Sequence, residues 1–155
     1  MSLELQLQVS LQLILAVILS AVIGLDRERV GSDAGVRTHM LVGLGASLFT
    51  LLSIYAFPVG DPARVAAQVV TGIGFLGAGA IIQYKRDVHQ LTTAASIWAT
   101  AAVGMAVGVG AWFLAVMATL IAWIVLALIR RLEPEKRLRE EAGERKKAQA
   151  GEEKA

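Results

Sequence analysis

Three long stretches of this chain carry no charge at all. No Asp, Glu, Lys or Arg occurs in 38–60, 65–84 or 88–129. A soluble domain cannot easily spare that many surface charges, because about a quarter of its residues are normally charged. A bilayer requires such runs, since a spanning helix needs ~20 consecutive apolar residues, within a range of ~17–25. The hydrophobic fraction of 55% and the mean hydropathy of +0.60 agree with this. The chain therefore reads as an all-α membrane protein. Its backbone polar groups must be paired within each span, which selects helices over open strands.

Five spans are expected, at about 8–25, 38–57, 64–83, 90–108 and 112–130. Together they would form one compact bundle over residues 1–130. Asp61-Pro62 has the form of a helix start, with Asp as N-cap and Pro at the first helical position. Thr92 or Thr93 could cap the fourth span. Gly108-Val109-Gly110 is an uncharged tight turn, followed by Trp112, a residue type favoured at membrane interfaces. The N-terminus lacks a basic region and a small-residue cleavage site, so the first apolar run is expected to be retained.

Lys and Arg in short loops set orientation. Arg27, Arg29 and Arg37 lie in the first loop, Lys85 and Arg86 in the third, and Arg130-Arg131 after the fifth span. The second loop has only Arg64 and the fourth has none. The N-terminus is thus expected outside and the C-terminus in the cytoplasm. The tail, 131–155, reads as a charged cytoplasmic segment, partly helical or disordered, with Glu133/Arg137, Glu135/Arg139 and Glu141/Arg145 at pairing distance along a helix. No folded C-terminal domain is expected in this tail.

Gly72-Ile73-Gly74-Phe75-Leu76-Gly77 matches the G-x-G-x-x-G dinucleotide pattern. A nucleotide site also needs a following soluble helix, a second strand and a ribose-binding acid about 20 residues on. None of these follows, so the glycines need another role. In lipid, small residues four apart let helices approach closely. Such stripes recur as Ala16/Ser20/Gly24, Gly43/Ser47, Gly74/Ala78, Ser96/Thr100/Gly104/Gly108 and Ala111/Ala115/Thr119. Gly24, Gly72, Gly74, Gly77, Gly79 and Gly104 are accordingly expected to serve helix packing. The four glycines of the third span lie within eight residues, and each costs about 0.8–1 kcal/mol of helix propensity. A kink or break beside Gln68 and Thr71 is the functional alternative to packing.

Chemistry is confined to the span edges. No cysteine is present, and no nucleophile, base and orienting residue occur together, so an enzyme is not expected. The densest constellation is GLDRERVGSDAGVRTHM, residues 24–40. Asp26 and Arg29 are spaced to pair on one helix face. Glu28 extends the Ala16/Ser20/Gly24 stripe toward a neighbouring helix. The candidate polar site comprises Asp26, Arg27, Glu28, Arg29, Arg37 and Thr38, with Gln68, Thr71, Thr92, Thr93 and Ser96 from the third and fourth spans. Two readings compete: a positive-inside anchor with local ion pairs, or a functional cluster. His39 and His89 are read as loop residues without a second metal ligand. No cofactor is expected beyond a weakly held Mg²⁺ at the cytoplasmic rim, for which Asp26 and Glu28 are the candidate ligands.

The motifs IGLDRER (23–29), AGVRTH (34–39), AAQVVTGIGFLGAG (66–79) and LTTAASIW (91–98) resemble the MgtC/SapB family, in order and over about residues 10–130. The resemblance implies a bacterial inner-membrane protein with five spans, associated with magnesium homeostasis and growth in low magnesium. In some pathogens it implies survival inside macrophages, restraint of the ATP synthase and contact with partner membrane proteins. It implies regulation or interaction rather than direct magnesium transport. Asp26 stands where the family usually has Glu, while Arg37, Gln68, Gly72, Gly74 and Thr93 match. Thr92 stands where the virulence branch has Asn, and Ala99 where it has Cys. That branch also has a folded cytoplasmic domain. These departures favour the SapB-like branch.

The function expected is therefore a non-enzymatic inner-membrane protein acting in magnesium or membrane-energy homeostasis. The alternatives are a transporter or channel using the third span and the start of the fourth, and a lipid-binding or lipid-modifying protein using its basic rim. Expected partners are the lipid bilayer, a second copy in a homodimer and other inner-membrane proteins. Neither nucleotide nor nucleic acid is expected.

Overall fold

The computed structural model describes residues 2–57, 60–84 and 87–128. It holds five helices: α1 (Leu3–Arg29), α2 (Val36–Tyr55), α3 (Pro62–Ala80), α4 (Leu91–Gly108) and α5 (Trp112–Leu128). Residues 1–123 form one compact unit. Of a second unit, 124–155, only the last residues of α5 are described. The expected charged tail at 131–155 lies outside the described residues, as do Lys85 and Arg86 of the third loop.

Four helices, α1 to α4, are long and apolar enough to cross a bilayer. The 17 described residues of α5 reach the lower end of that range, about 17 residues. The helix starts follow local chemistry. The Ser2 hydroxyl accepts from the Leu5 N–H at 3.3 Å. The Asp61 carboxylate accepts from the Ala63 N–H at 2.9 Å, with Pro62 at the first helical position. The Ser53 hydroxyl near the end of α2 donates to the Pro62 carbonyl at 3.1 Å, tying that turn together. Gly110, with φ +81°, makes the turn into α5.

Packing inverts the pattern of a soluble protein. On α1 the outward stripe is Leu7, Leu11, Ile14, Ile18, Val22 and Leu25, while Ala16, Ser20 and Gly24 are buried. Buried polar residues elsewhere include His39, Ser47, Thr93, Ser96 and Thr100. A surface of Leu, Ile, Phe and Trp around an interior that mixes aliphatic side chains with small and polar ones matches a lipid environment, where large apolar side chains gain nothing by hiding. The chain is a multi-pass helical membrane bundle.

α2 is the central helix, packed against both α1 and α4, and α3 leans mainly on α4. The glycines show how close these crossings are. A Cβ at Gly24 would stand 2.7 Å from the Val36 Cα, and one at Gly104 would stand 2.4 Å from the Gly43 carbonyl oxygen. At Gly108 it would meet the Thr50 Cβ at 2.8 Å. No side chain fits in those gaps.

The third helix is uninterrupted from Pro62 to Ala80, so its glycines do not break it, against the alternative of a kink or break. It differs from expectation in two other ways. A Cβ at Gly72, Gly74 or Gly79 would meet nothing within 4 Å. Those three, expected to serve packing, pack against nothing among the described residues. The reason is that α3 meets its neighbours on one side only, through Ile73 and Gly77, with Ala94 opposite Gly77 at 3.7 Å. Finally, α3 ends before residue 83. Ile82–Tyr84 and Asp87–His89 form a short antiparallel hairpin, pairing Ile82 with His89 and Tyr84 with Asp87. A hairpin satisfies backbone groups that a terminated helix would leave open.

The Gly104 crossing makes a direct prediction. Gly104→Ala should lower the unfolding temperature in detergent, by an overpacking cost of about 1–3 kcal/mol. Gly74→Ala, facing open space, should leave it unchanged or raise it. Equal stability of the two variants would show that α2 and α4 do not depend on this contact.

Candidate functional site

The polar residues gather where the C-terminus of α1 meets the N-termini of α2 and α4. At the end of α1, Asp26 and Arg27 are both buried, at 4% and 5% exposure. They form an ion pair, in which Arg27 Nε also lies 3.2 Å from Asp26 Oδ2. Adjacent helical residues point in different directions, so the long Arg27 side chain must fold back over the helix end to reach its neighbour. This differs from the pairing with Arg29 suggested by spacing. Arg29 is exposed. Burying a charge without its partner is costly, and here the two charges are buried together.

Glu28 acts one turn further on. Its carboxylate accepts from the Val36 N–H at 2.9 Å. Gly35, the N-cap of α2, has no side chain with which to do this. A Cβ at Gly35 would stand 2.8 Å from Glu28 Oε2, so the missing side chain leaves room for the carboxylate. The acid at the end of α1 thus caps the start of α2. This is the neighbour toward which the Ala16/Ser20/Gly24 stripe was expected to aim it.

His39 was read from sequence as a loop residue. It lies in α2 and is completely buried. Its Nδ1 is 2.9 Å from the Gly35 carbonyl oxygen and its Nε2 is 3.1 Å from Ser96 Oγ. A carbonyl only accepts, so Nδ1 carries a proton. Ser96 has one hydroxyl proton, and the Thr93 carbonyl also lies 2.8 Å from its oxygen. Either Ser96 donates to Nε2, or it donates to Thr93 and receives a proton from Nε2. The two arrangements differ by one proton on the ring.

Thr93 extends the network. Its hydroxyl lies 2.9 Å from the Ser32 hydroxyl and also donates to the Gln90 side-chain carbonyl. The Gln90 amide donates to Asp33 at 3.0 Å. Gln90 has φ +67°, the one positive-φ non-glycine among the described residues. A left-handed conformation costs such a residue roughly 1–2 kcal/mol, and two side-chain hydrogen bonds hold it there. Ser32, Asp33, His39 and Gln90 were not among the expected site residues. Ser32, Asp33 and His39 lie inside the constellation 24–40 without having been singled out from it, and Gln90 directly precedes the LTTAASIW motif.

The remaining candidates lie elsewhere. Thr92 is exposed. The Thr71 hydroxyl returns to its own helix, donating to the Ala67 carbonyl at 2.9 Å. Arg37 and Thr38 face a groove between α2 and α3, as do Gln68 and Gly72. That groove has a volume of about 1220 Å³, with Arg37 toward one end and Asp61 and Arg64 toward the other. Its lining includes neither Thr71 nor Thr93. Asp26, Arg37 and Thr93 therefore do not share one pocket. No group of three His, Asp or Glu side chains comes together among the described residues. Asp26 is engaged with Arg27 and Glu28 with the Val36 N–H.

Replacing Asp26 with Ala leaves Arg27 buried without this carboxylate. It should destabilise the protein by about 3–5 kcal/mol, read by thermal unfolding in detergent. The Asp26→Leu/Arg27→Leu double variant should recover much of the loss.

Comparison with known proteins places this arrangement. The MgtC family matches residues 13–134. The "Putative magnesium transporter YhiD" of Escherichia coli K12 is 45% identical over 130 residues, covering 79% of this chain and 60% of that protein. Protein SrpB of Synechococcus elongatus is 40% identical over 141 residues, covering 82% of this chain and 78% of SrpB. Protein MgtC of Salmonella typhimurium is 42% identical over 120 residues, covering 77% of this chain and 52% of MgtC. The chain thus spans little more than half the length of YhiD and MgtC. No solved structure matches it significantly. With the family matched across almost the whole bundle, the chain belongs to the MgtC family.

Proposed function

We propose that this chain is a non-enzymatic protein of the bacterial inner membrane, acting in magnesium or membrane-energy homeostasis by interaction or regulation. The magnesium link rests on family membership and on the name carried by YhiD. Positive charge at Arg27, Arg29 and Arg37 supports a cytoplasmic location for the His39 end of the bundle.

One observation favours regulation over transport. The buried polar groups at that end bond to one another: Asp26 with Arg27, His39 with Ser96, Thr93 with Ser32 and Gln90. An ion pathway needs polar groups that face a water-filled cavity and exchange partners. A network already bonded within the protein suits a rigid platform better. The surface left for a partner is the outward side of α3, where Phe75 is 82% exposed and Gly74 has no neighbour. A second copy or another inner-membrane helix would fit there.

The transport alternative draws on the α2–α3 groove, which reaches Gln68. Purified protein in liposomes decides between them. Magnesium entry, followed with an enclosed fluorescent indicator, should not exceed that of protein-free vesicles. Saturable entry that Gln68→Ala abolishes would overturn the regulatory reading. In a deletion strain under low magnesium, the wild-type chain should restore growth, and Phe75→Ala should fail while reaching the membrane at normal abundance.

A further inference from the structure

The α2–α3 groove carries an inference independent of the proposed function. Its wall on α2 runs from Arg37 to Ser53, with Phe57 just beyond the helix end. At 1.5 Å per residue this wall is about 25–30 Å long, close to the ~30 Å hydrocarbon thickness of a bilayer. Leu41, Phe49 and Leu76 make the wall apolar, and Gly45 and Gly72 hollow it. A Cβ at either glycine would meet nothing within 4 Å.

The two ends differ in charge. At one end Arg64 stands beside Asp61. At the other, Arg37 forms no ion pair among the described residues. It lies in the first turn of α2, which contains no acid, and the N-terminal end of a helix is itself positive. Among the described residues, the carboxylates near this end already have partners: Asp26 pairs with Arg27, Glu28 accepts from the Val36 N–H and Asp33 accepts from Gln90. A second copy of the chain would bring those same carboxylates, already bonded. What complements a guanidinium with no ion-pair partner among the described residues, at the mouth of an apolar, bilayer-length groove, is a phosphate joined to acyl chains.

We propose that the α2–α3 groove seats one anionic phospholipid, with its phosphate held by Arg37 and an acyl chain lying over Gly45 and Gly72. The lipid occupies space that the chain's own side chains leave open. Glycine at 72 is then explained by the ligand it admits. Gly74, on another face of α3 and outside the groove lining, is not.

Native mass spectrometry of the full chain in detergent tests this. The probes are palmitoyl-oleoyl phosphatidylglycerol and palmitoyl-oleoyl phosphatidylcholine at equal concentration. The one-to-one phosphatidylglycerol adduct should exceed the phosphatidylcholine adduct by about fivefold, the scale of one basic residue meeting an anionic lipid. Arg37→Gln should remove that preference, and Arg64→Gln should keep it. Gly72→Leu should lower both adducts severalfold, since its side chain fills the space in which the acyl chain would lie. Gly74→Leu should leave both unchanged. Both leucines improve helix propensity and their Cβ atoms meet nothing within 4 Å, and circular dichroism verifies their folding. Equal binding of the two lipids, a preference that survives Arg37→Gln, or adducts unaffected by Gly72→Leu would each overturn the proposal. So would a dimer that Gly72→Leu dissociates while lipid binding persists, which would assign the groove to a second copy.

Discussion

The fold depends on how closely α2 lies against α4. Gly104 presents bare backbone to the Gly43 carbonyl, and Gly108 does the same toward Ser47 and Thr50. Both helices start at the same end of the bundle, so their contacts step along together. His39 meets Ser96 one turn before Gly43, and Ser47 and Thr50 meet Gly108 beyond it. Widening any one of these crossings would open the others. The hydrogen bond from His39 to Ser96 therefore depends on a glycine two turns away. Van der Waals contact between backbones is short-ranged, so the position of the polar network follows from the absence of side chains.

In lipid, burial of apolar groups supplies little force between helices, because the tails are as apolar as leucine. The bundle uses two other sources. One is the close packing just described. The other is the placement of hydroxyls, many of which return to their own helix. Thr50 donates to Ala46, Thr100 to Ser96 and Thr119 to Ala115, each at 2.8 Å. A threonine satisfied in this way is small, buried and neutral toward its neighbour, and it can stand wherever a glycine or serine could. Among the described residues, hydroxyls reach across helices at the His39 end, and at the other end where Ser53 donates to Pro62.

The helices of the bundle were legible because charge-free runs and small residues four apart follow directly from the solvent and from helix periodicity. Gly24, Gly43, Gly104 and Gly108 occupy crossings that spacing alone could suggest. Gly72, Gly74 and Gly79 have the same spacing but no neighbour, since periodicity says which face is small and not whether a helix stands against it. The hairpin at 82–89 was hidden because Ile81-Ile82-Gln83 continues the apolar run of α3. His39 and Gln90 were missed for a different reason. Their importance comes from partners 57 residues away in the chain, and such pairings leave no local pattern. The Asp26–Arg27 pair was missed because a spacing argument considers residues three or four apart and not immediate neighbours.

The cap that Glu28 places on α2 spans only eight residues, whereas the bond from Gln90 to Asp33 spans 57. Closing a short loop costs less entropy than closing a long one. The chain therefore contains its own order of assembly. α1 and α2 can clasp as soon as both have left the ribosome, and they then present Ser32, Asp33 and His39 as a prepared edge. α4 arrives after α3 has turned back. The left-handed backbone at Gln90 can settle only once that edge is in place to receive it.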